Sequence, residues 1–156
     1  MKIEHHFDVR VAWTGNRGTG TSDYRAYGRD HVVSAEGKHP VEGSSDRAFR
    51  GDADRWNPEE LLIAALSQCH MLSYLHVAAR NGVVVVGYTD DATGTMVQTN
   101  GGGHFTGVTL RPRVTVSDAG QVDLAQSLHA EAERECFIAA SVNFPVGHEP
   151  ETVAAP

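Results

Sequence analysis

Two cysteines, Cys69 and Cys136, are the residues of this sequence best able to carry out covalent chemistry. Cys69 lies in the middle of an apolar segment, and a cysteine in such a place is more often a small hydrophobic side chain than a reagent. In a reducing compartment, two cysteines indicate a redox or catalytic role rather than a permanent structural disulfide. Residue type alone therefore leaves both interpretations of Cys69 open.

The composition is that of a globular chain. Its 156 residues are 40% hydrophobic and 21% charged, and this length supports a core without disulfides or metals. The net charge of −7 and the lack of a basic cluster argue against binding to nucleic acid. The N-terminus lacks the apolar centre of a signal peptide, and no uninterrupted apolar run is long enough to span a membrane. We therefore expect one cytoplasmic domain over residues 1–156, with no nucleic-acid or membrane partner.

The segment 57–82, NPEELLIAALSQCHMLSYLHVAARNG, surrounds the first cysteine and predicts one long helix over residues 57–81. Asn57 can cap the first turn, and Pro58 fits the first helical position because no N–H is needed there. Gly82 can adopt the left-handed conformation that ends many helices. Apolar side chains are spread round nearly the whole circumference, so the helix should be buried on several sides.

Most of the remaining chain alternates in the way that strands do. Near the C-terminus, Leu124, Leu128 and Ala132 recur every four residues and predict a second, amphipathic helix. The predicted elements are N-terminal strands within 1–50 (6–15, 24–34 and around 40–42), three strands within 83–117 (83–90, 92–99 and 105–116), the second helix at 121–137 and a mobile tail at 145–156. Antiparallel sheets packed on one long helix and a second helix make an α+β fold.

The segment NPEELLIAALSQCH resembles the signature of the OsmC/Ohr family, the osmotically inducible protein C and organic hydroperoxide resistance proteins. In that family the central helix opens with Asn-Pro-Glu and carries the reactive cysteine ten residues after the Glu, which is the spacing of Glu59 and Cys69 here. Cys136 follows Cys69 by 67 residues, after a further sheet segment and helix, as the family's second cysteine does. The resemblance covers nearly the whole chain in the order of its elements. It implies an OsmC-like α+β fold and an intertwined homodimer with its sites at the interface.

The resemblance also implies a reaction, the reduction of organic hydroperoxides by a thiol-dependent peroxidase without a cofactor. The Cys69 thiolate would attack the peroxide, giving an alcohol and a cysteine sulfenic acid. Cys136 would condense with that sulfenic acid to a disulfide, which a dithiol reductant, such as a lipoyl protein for Ohr-like members, would reduce. The family commonly has Pro directly after its second cysteine, whereas Phe137 stands there in this chain. Four apolar side chains would favour organic hydroperoxides over hydrogen peroxide if they line the site, namely Leu66, Met71, Leu72 and Phe144.

An unassisted cysteine has a pKa of about 8.5, so a Cys69 thiolate needs a neighbouring cation. An arginine suits this role because it stays charged and its fork can also hold a peroxide oxygen. The resemblance implies either Arg29, on the second N-terminal strand as in Ohr-like members, or Arg50, in the loop before the helix as in OsmC-like members; Arg29 is preferred. Glu59 would orient that guanidinium through a bidentate pair. Since ten residues of helix place Glu59 about 15 Å from Cys69, either the arginine bridges part of the gap or two chains share the site.

Three other classes of function compete with this hypothesis. One of them, a redox sensor or disulfide exchanger, is disfavoured because a thioredoxin-like CxxC is absent. A metal site is not expected, because His70 and His76 face different sides of the helix and no CxxC or HxxxH spacing occurs. A non-catalytic OsmC-like dimeric domain, binding a small molecule or acting in a stress response, would keep both cysteines as inert thiols. Disulfide formation on oxidation distinguishes the peroxidase from that domain.

Overall fold

The computed structural model describes the whole chain, residues Met1–Pro156, as a mixed α+β structure. It contains nine β-strands and three α-helices, with short 3₁₀ turns between some of them. The chain forms two compact units, Met1–Leu61 and Leu62–Pro156. The predicted α+β class is confirmed.

The first unit contains a small antiparallel sheet. Its strands are β1 (Arg10–Trp13), β2 (His31–Ser34) and β3 (Val41–Gly43), with β2 in the centre. Val11 of β1 lies opposite Val33 of β2. Val11 is nevertheless 64% exposed in the single chain. The prediction that this strand is half-buried is therefore wrong for one chain, because nothing in that chain covers its apolar side chains.

The strand predicted over 24–34 is shorter in the structure, because the residues before His31 fold into turns. Arg29 donates hydrogen bonds back to the carbonyl oxygens of Tyr27 (2.5 Å) and Tyr24 (2.7 Å). These local contacts hold the backbone out of the sheet. Arg29 consequently lies before the second strand, whereas the sequence analysis expected it on that strand.

The second unit contains two three-stranded sheets. One consists of β4 (Val85–Asp90), β7 (Pro112–Val116) and β9 (Glu151–Ala154), with β7 in the centre. The other consists of β5 (Thr93–Thr99), β6 (Gly102–Leu110) and β8 (Val146–His148), with β6 in the centre. The pairs β4–β7 and β5–β6 are antiparallel, whereas β6–β8 and β7–β9 are parallel.

The single strand predicted over 105–116 is two strands, β6 and β7, because the chain passes from one sheet to the other at Arg111. The Arg111 N–H donates to the Asp90 carboxylate (2.6 Å), so this N–H does not extend the hydrogen-bond ladder of β6. Pro112 follows and has no N–H, so it can begin a strand but cannot continue the ladder that precedes it. The sheet of this unit therefore divides in two at this point.

The prediction of a mobile tail over residues 145–156 is wrong. Its residues form β8 and β9, each of which extends an existing sheet as a parallel edge strand. Pro145 and Pro150 stand immediately before the two strands, where a missing N–H does not disturb the pairing. The prolines that suggested a tail thus mark the starts of strands.

The long central helix, α1 (Pro58–Arg80), begins and ends as its sequence predicts. The Asn57 side-chain oxygen accepts a hydrogen bond from the Glu60 N–H (2.8 Å), and the Glu60 carboxylate accepts one from the Asn57 N–H (3.3 Å). This reciprocal capping box satisfies two backbone donors of the first turn. After the last turn, Gly82 has a φ of 72°, in the region that glycine adopts without strain.

The second helix, predicted as one piece over 121–137, is divided into α2 (Val122–Ser127) and α3 (His129–Glu135). The carbonyl oxygen of Leu124 accepts both the Leu128 N–H (3.2 Å) and the Ser127 hydroxyl (2.7 Å). A serine hydroxyl that competes for a helical carbonyl perturbs the regular ladder. The helix is therefore interrupted next to Ser127.

Within this chain, α1 is covered on one face. Its buried residues recur every three or four positions, and they are Leu66, His70, Tyr74, Val77 and Ala78. Leu72, on another side of the helix, is 61% exposed. The predicted burial of α1 on several sides is therefore not found in the single chain.

Two apolar clusters form the core of the second unit. The first joins Tyr74 and Val77 of α1 to β7, α2 and α3, with Val83, Val114, Val116, Ala125, Leu128 and Ala132 among its members. The second joins Leu66 of α1 to β6, with Val108, Leu110, Phe105, Ile138, Phe144 and Val146 among its members. The turn of α1 that carries Cys69 and His70 lies between Leu66 and Tyr74, so along the helix the first cysteine lies between the residues of the two clusters.

By length and composition alone α1 could cross a membrane, because an 18-residue window of it has a mean hydropathy of 1.4. One such helix is weak evidence, since the core helix of a folded domain satisfies the same criterion. The buried face of α1 packs on protein, and it includes the polar side chains of His70 and Tyr74.

Candidate functional site

Cys69 and Cys136, which are 67 positions apart in the sequence, are neighbours in the structure. Cys69 lies on α1 and is partly exposed, whereas Cys136 follows α3 and is 2% exposed. Both are free thiols. The Cys69 side chain is close enough to Cys136 to raise the pKa of the Cys136 thiol. The structure thus brings together the two cysteines that the sequence analysis expects to react.

The end of α3 turns the Cys136 side chain inward. The Cys136 N–H donates to the Glu133 carbonyl (3.3 Å), after which the backbone becomes extended, with φ −77° and ψ 107°. The next residues fold back over the cysteine, and the Ala139 N–H donates to the Cys136 Sγ (3.5 Å). Phe137, at the position where the resemblance suggested proline, is 81% exposed. The turn therefore encloses the sulfur while its first side chain points to solvent.

Burial raises the pKa of Cys136 to about 11. The neighbouring Cys69 side chain acts in the same direction, against the lowering effect of the Ala139 and Ile138 N–H groups. At pH 7 Cys136 is therefore a neutral thiol, which can donate a hydrogen bond to a Cys69 thiolate. Cys69 is the more exposed of the two thiols, so it is the one placed to meet a substrate.

A cavity of about 290 Å³ opens beside Cys136. Its wall combines apolar with polar and charged side chains, and it consists of Cys136, Ala139, Ala140, Phe144, Val146, Glu133, Arg134 and His148. Cys69 is not part of this wall. Of the two cysteines, only Cys136 lines the cavity.

Three histidines pack together next to the thiol pair. His70, which follows Cys69, has its Nε2 3.0 Å from the Nδ1 of His129, so one of these nitrogens donates to the other. The His148 ring lies with its centroid 4.4 Å from that of His70, and Tyr74 stacks on His129 at 4.0 Å. No group of three His, Cys, Asp or Glu side chains is arranged to hold a metal ion.

The histidines of this cluster are held neutral. Burial lowers the pKa of His70 to about 3, helped by the charges of His148 and His129. Burial also lowers the pKa of His129 to about 4, helped by the charge of His148. The pKa of His148 is lowered by burial too, although the carboxylates of Glu133 and Asp90 oppose this. At pH 7 the cluster therefore adds no charge beside the cysteines.

Sequence reasoning left the role of His70 open and did not single out His129 or His148. His129 is 4% exposed and lies four residues after the buried Ala125, so this helical spacing was the available signal. His148 had no such signal, because its strand was interpreted as a tail. Only the fold brings these rings to His70.

The remaining predicted site residues, Arg29, Arg50 and Glu59, belong to the first unit. The Arg29 guanidinium lies over the rings of Tyr27 (4.0 Å) and Tyr24 (4.4 Å). Arg50 is exposed and has a left-handed φ of 65° at the end of a 3₁₀ turn. Neither arginine forms an ion pair with Glu59, which lies in the first turn of α1. The choice between the two arginines stays a prediction.

The fold and the site together define an α+β protein with a pair of free thiols, one on a long central helix and one just after a second, interrupted helix. A sequence model of the family described as OsmC-like protein matches residues 51–151. This is more than half of the chain, and the chain belongs to the OsmC-like protein family.

Comparisons with individual proteins agree with this family. The uncharacterized protein YmaD of Bacillus subtilis is 27% identical over 142 residues, which are 89% of this chain and 87% of YmaD. An OsmC-like protein of unknown function from Vibrio cholerae is 29% identical, with a TM-score of 0.82 over 94% of this chain and 99% of that one. The structure of an organic hydroperoxide resistance protein OsmC from Legionella pneumophila shares the fold, with a TM-score of 0.69 at 18% identity over 97% of this chain and 98% of that one.

Proposed function

We propose that this protein is a thiol peroxidase that reduces organic hydroperoxides to alcohols. The observation that carries the proposal is the arrangement of the thiols, in which a partly exposed Cys69 lies beside a buried, neutral Cys136. Such a pair separates the two tasks of the reaction, since the exposed sulfur meets the oxidant and the buried one is kept for the next step. Membership of a family that includes proteins named for organic hydroperoxide resistance supports the same reaction.

The proposed reaction proceeds in three steps. The Cys69 thiolate attacks one peroxide oxygen, the O–O bond breaks, and the alcohol leaves after taking a proton, so that Cys69 becomes a sulfenic acid. The Cys136 sulfur then attacks the Cys69 sulfur and displaces the oxygen as water, which forms the Cys69–Cys136 disulfide. A dithiol reductant returns both cysteines to thiols by two successive exchanges.

Activation of Cys69 requires a cation, and we assign it to Arg29 or Arg50 with Glu59 as the orienting carboxylate. We further propose that two copies of the chain form the working enzyme. Several large apolar side chains are exposed in the single chain and would be covered by a second copy. They include Val9, Val11 and Trp13 in the first unit and Leu72, Val84, Val86 and Phe137 in the second.

Organic hydroperoxides are the proposed substrates because apolar groups surround this part of α1. Leu72, three residues after Cys69 on α1, is 61% exposed, and Met71 beside it is partly exposed. An apolar surface favours an alkyl or aryl group over the small, polar hydrogen peroxide. Equal rates with cumene hydroperoxide and hydrogen peroxide would contradict this preference.

The deciding experiment treats the reduced protein with one equivalent of cumene hydroperoxide and follows its intact mass and free thiols. We expect rapid loss of both thiols and of two hydrogen atoms, and no reaction in Cys69→Ser. Cys136→Ser serves as the matched control, and it should stop at one added oxygen on Cys69. Two unreacted thiols in the wild-type protein would refute the peroxidase and favour a non-catalytic binding domain.

A further inference from the structure

The cavity beside Cys136 is not needed by the oxidation steps. The hydroperoxide reacts at Cys69, which does not line the cavity, and disulfide formation occurs between two cysteines that are already neighbours. Of the two cysteines that the disulfide would join, only Cys136 lines this cavity. The cavity is thus a separate route to the oxidised site.

We propose that this cavity admits the small dithiol that re-reduces the enzyme, and that the entering thiolate attacks Cys136 and releases Cys69. The proposal rests on the proposed peroxidase function and adds to it the entry site of the reductant and the order of the two exchanges. Oxidant and reductant then reach different sulfur atoms of the same pair.

The exchange balances without a further reactant. The first thiol of the reductant gives up its proton, and its sulfur bonds to the Cys136 sulfur while the Cys69–Cys136 bond breaks and Cys69 leaves as a thiolate. The second thiol then attacks the sulfur of the reductant that is bound to Cys136, which releases Cys136 and closes a disulfide within the reductant. The reductant is oxidised by two electrons, and its two protons end on Cys69 and Cys136.

The chemistry of the two cysteines supports this direction of attack. In thiol–disulfide exchange the thiol of lower pKa leaves faster. Burial raises the pKa of Cys136 to about 11, so Cys136 is a poor leaving group. When the reductant attacks Cys136, the first exchange releases Cys69. If the reductant attacked Cys69, the first exchange would have to release Cys136, which is the poorer leaving group.

The walls of the cavity suit a small dithiol on a hydrocarbon chain. Ala139, Ala140, Phe144 and Val146 provide an apolar side for the chain. At the polar side, the Nδ1 of His148 lies 3.6 Å from the Glu133 carboxylate. A neutral imidazole in this position can take the proton of the entering thiol directly or through one water.

The volume restricts the occupant. The cavity holds about 290 Å³, close to the lower limit of roughly 300 Å³ for small-molecule sites. A compact dithiol or a narrow dithiol-bearing arm fits such a space, whereas the folded surface of a thioredoxin-like protein does not.

The first test identifies the sulfur that is attacked. The disulfide is formed with diamide, so that the test does not depend on peroxide chemistry, and is then treated with the monothiol 2-mercaptoethanol. After quenching with iodoacetamide, peptide mass spectrometry should find the mercaptoethanol adduct on Cys136 and the carbamidomethyl group on Cys69. An adduct on Cys69, or equal amounts on both, would overturn the proposal, as would failure of diamide to join the two sulfurs.

The second test narrows the cavity with Ala140→Leu. Reduction of the diamide-formed disulfide by dithiothreitol should slow by about tenfold or more, because the entering thiol is displaced from its line of attack. Oxidation of reduced Ala140→Leu by cumene hydroperoxide should keep its wild-type rate. Ala119→Leu, at an exposed alanine outside the cavity wall, is the matched control and should change neither rate.

The outcomes separate this proposal from the peroxidase proposal. If cumene hydroperoxide leaves the thiols intact while both diamide-based tests give the expected results, the peroxidase function fails and the reductant site stands. If oxidation succeeds but Ala140→Leu reduces at the wild-type rate, the reductant site fails alone. Equal slowing of oxidation and reduction in Ala140→Leu would also contradict a separate reductant route.

Discussion

At the scale of the residue, the thiol of Cys136 is enclosed by the turn that contains Ala139, whereas the thiol of Cys69 is partly exposed on α1. The two side chains are chemically identical. Burial raises the pKa of Cys136 to about 11, and the neighbouring Cys69 acts in the same direction. Their different roles therefore come from their surroundings.

Alkylation measures this difference. At pH 7 we expect iodoacetamide to modify the partly exposed Cys69 and to leave Cys136 largely unmodified, because the raised pKa of Cys136 keeps it a thiol and only a thiolate reacts. In Cys69→Ser the remaining thiol should still titrate above the ordinary value of about 8.5, since burial persists, but below its wild-type pKa because the charge of Cys69 is gone. Mass spectrometry of protein alkylated at a series of pH values gives the pKa of Cys136 in the wild-type protein and in Cys69→Ser.

Cys136→Ser is the control for that titration, as it reports on Cys69 alone. A midpoint for Cys136 at or below the ordinary cysteine value would show that its sulfur is not buried in solution. The assignment of Cys136 as the second-step thiol would then lose its physical basis.

At the scale of the element, α1, α3 and β8 each contribute one histidine to a buried cluster of His70, His129 and His148. The three elements therefore contact one another through stacked and hydrogen-bonded imidazole rings and not through apolar side chains alone. The two buried nitrogens His70 Nδ1 and His129 Nε2 have no hydrogen-bond partner. Such a cluster is stable only while its rings stay neutral.

Protonation therefore couples this cluster to folding. The pKa of His70 is about 3 and that of His129 about 4 in the native protein, against 6.5 without burial. Below pH 6.5 the unfolded chain binds protons that the native chain does not, so the free energy of unfolding should fall as the pH falls from 6.5 toward 4. The slope is at most about 1.4 kcal/mol per pH unit for each histidine.

Urea unfolding between pH 7 and pH 5 tests this dependence. The lowered carboxylate pKa values of Asp30 and Glu135 start from 3.8 and 4.5, so these groups contribute mainly below that window. His129→Gln, which does not titrate and can still hydrogen-bond to His70, should give a shallower pH dependence. His76→Gln, at an exposed position of α1, should give the wild-type slope. Equal stability at pH 6.5 and pH 5 would contradict a neutral cluster.

At the scale of the whole molecule, both units leave large apolar side chains in contact with solvent. Val11 and Leu72 are more than half exposed, although each lies in an element rich in apolar residues. The proposed homodimer accounts for this surface, because a second copy would cover what one chain cannot.

Leu72→Glu tests the homodimer. If a second copy covers α1, the variant places two unpaired carboxylates at the interface, at a cost of about 3–5 kcal/mol for an uncompensated buried charge. We expect the wild-type protein to sediment as a dimer and Leu72→Glu as a monomer. Ala119→Glu adds the same charge at an exposed alanine and should leave the dimer intact. A wild-type monomer, or a dimer that tolerates Leu72→Glu, would contradict the proposed interface.

The sequence by itself determined the features whose causes are local. The cap at Asn57, the glycine at position 82 and the apolar residues between them specify α1, and the spacing of Glu59, Cys69 and Cys136 led to the family and to the reacting cysteines. These signals depend on residues a few positions apart or on a motif of fixed spacing. They are therefore visible without coordinates.

The tertiary structure alone decided the features that depend on distant partners. β8 and β9 are too short to be recognised by their own pattern, and they exist because β6 and β7 offer them free edges. The burial of Cys136, the cavity beside it and the meeting of His70 with His129 and His148 all arise where α1, α3 and β8 converge. Contacts between such separated segments are made by folding, and no local pattern of residues encodes them one by one.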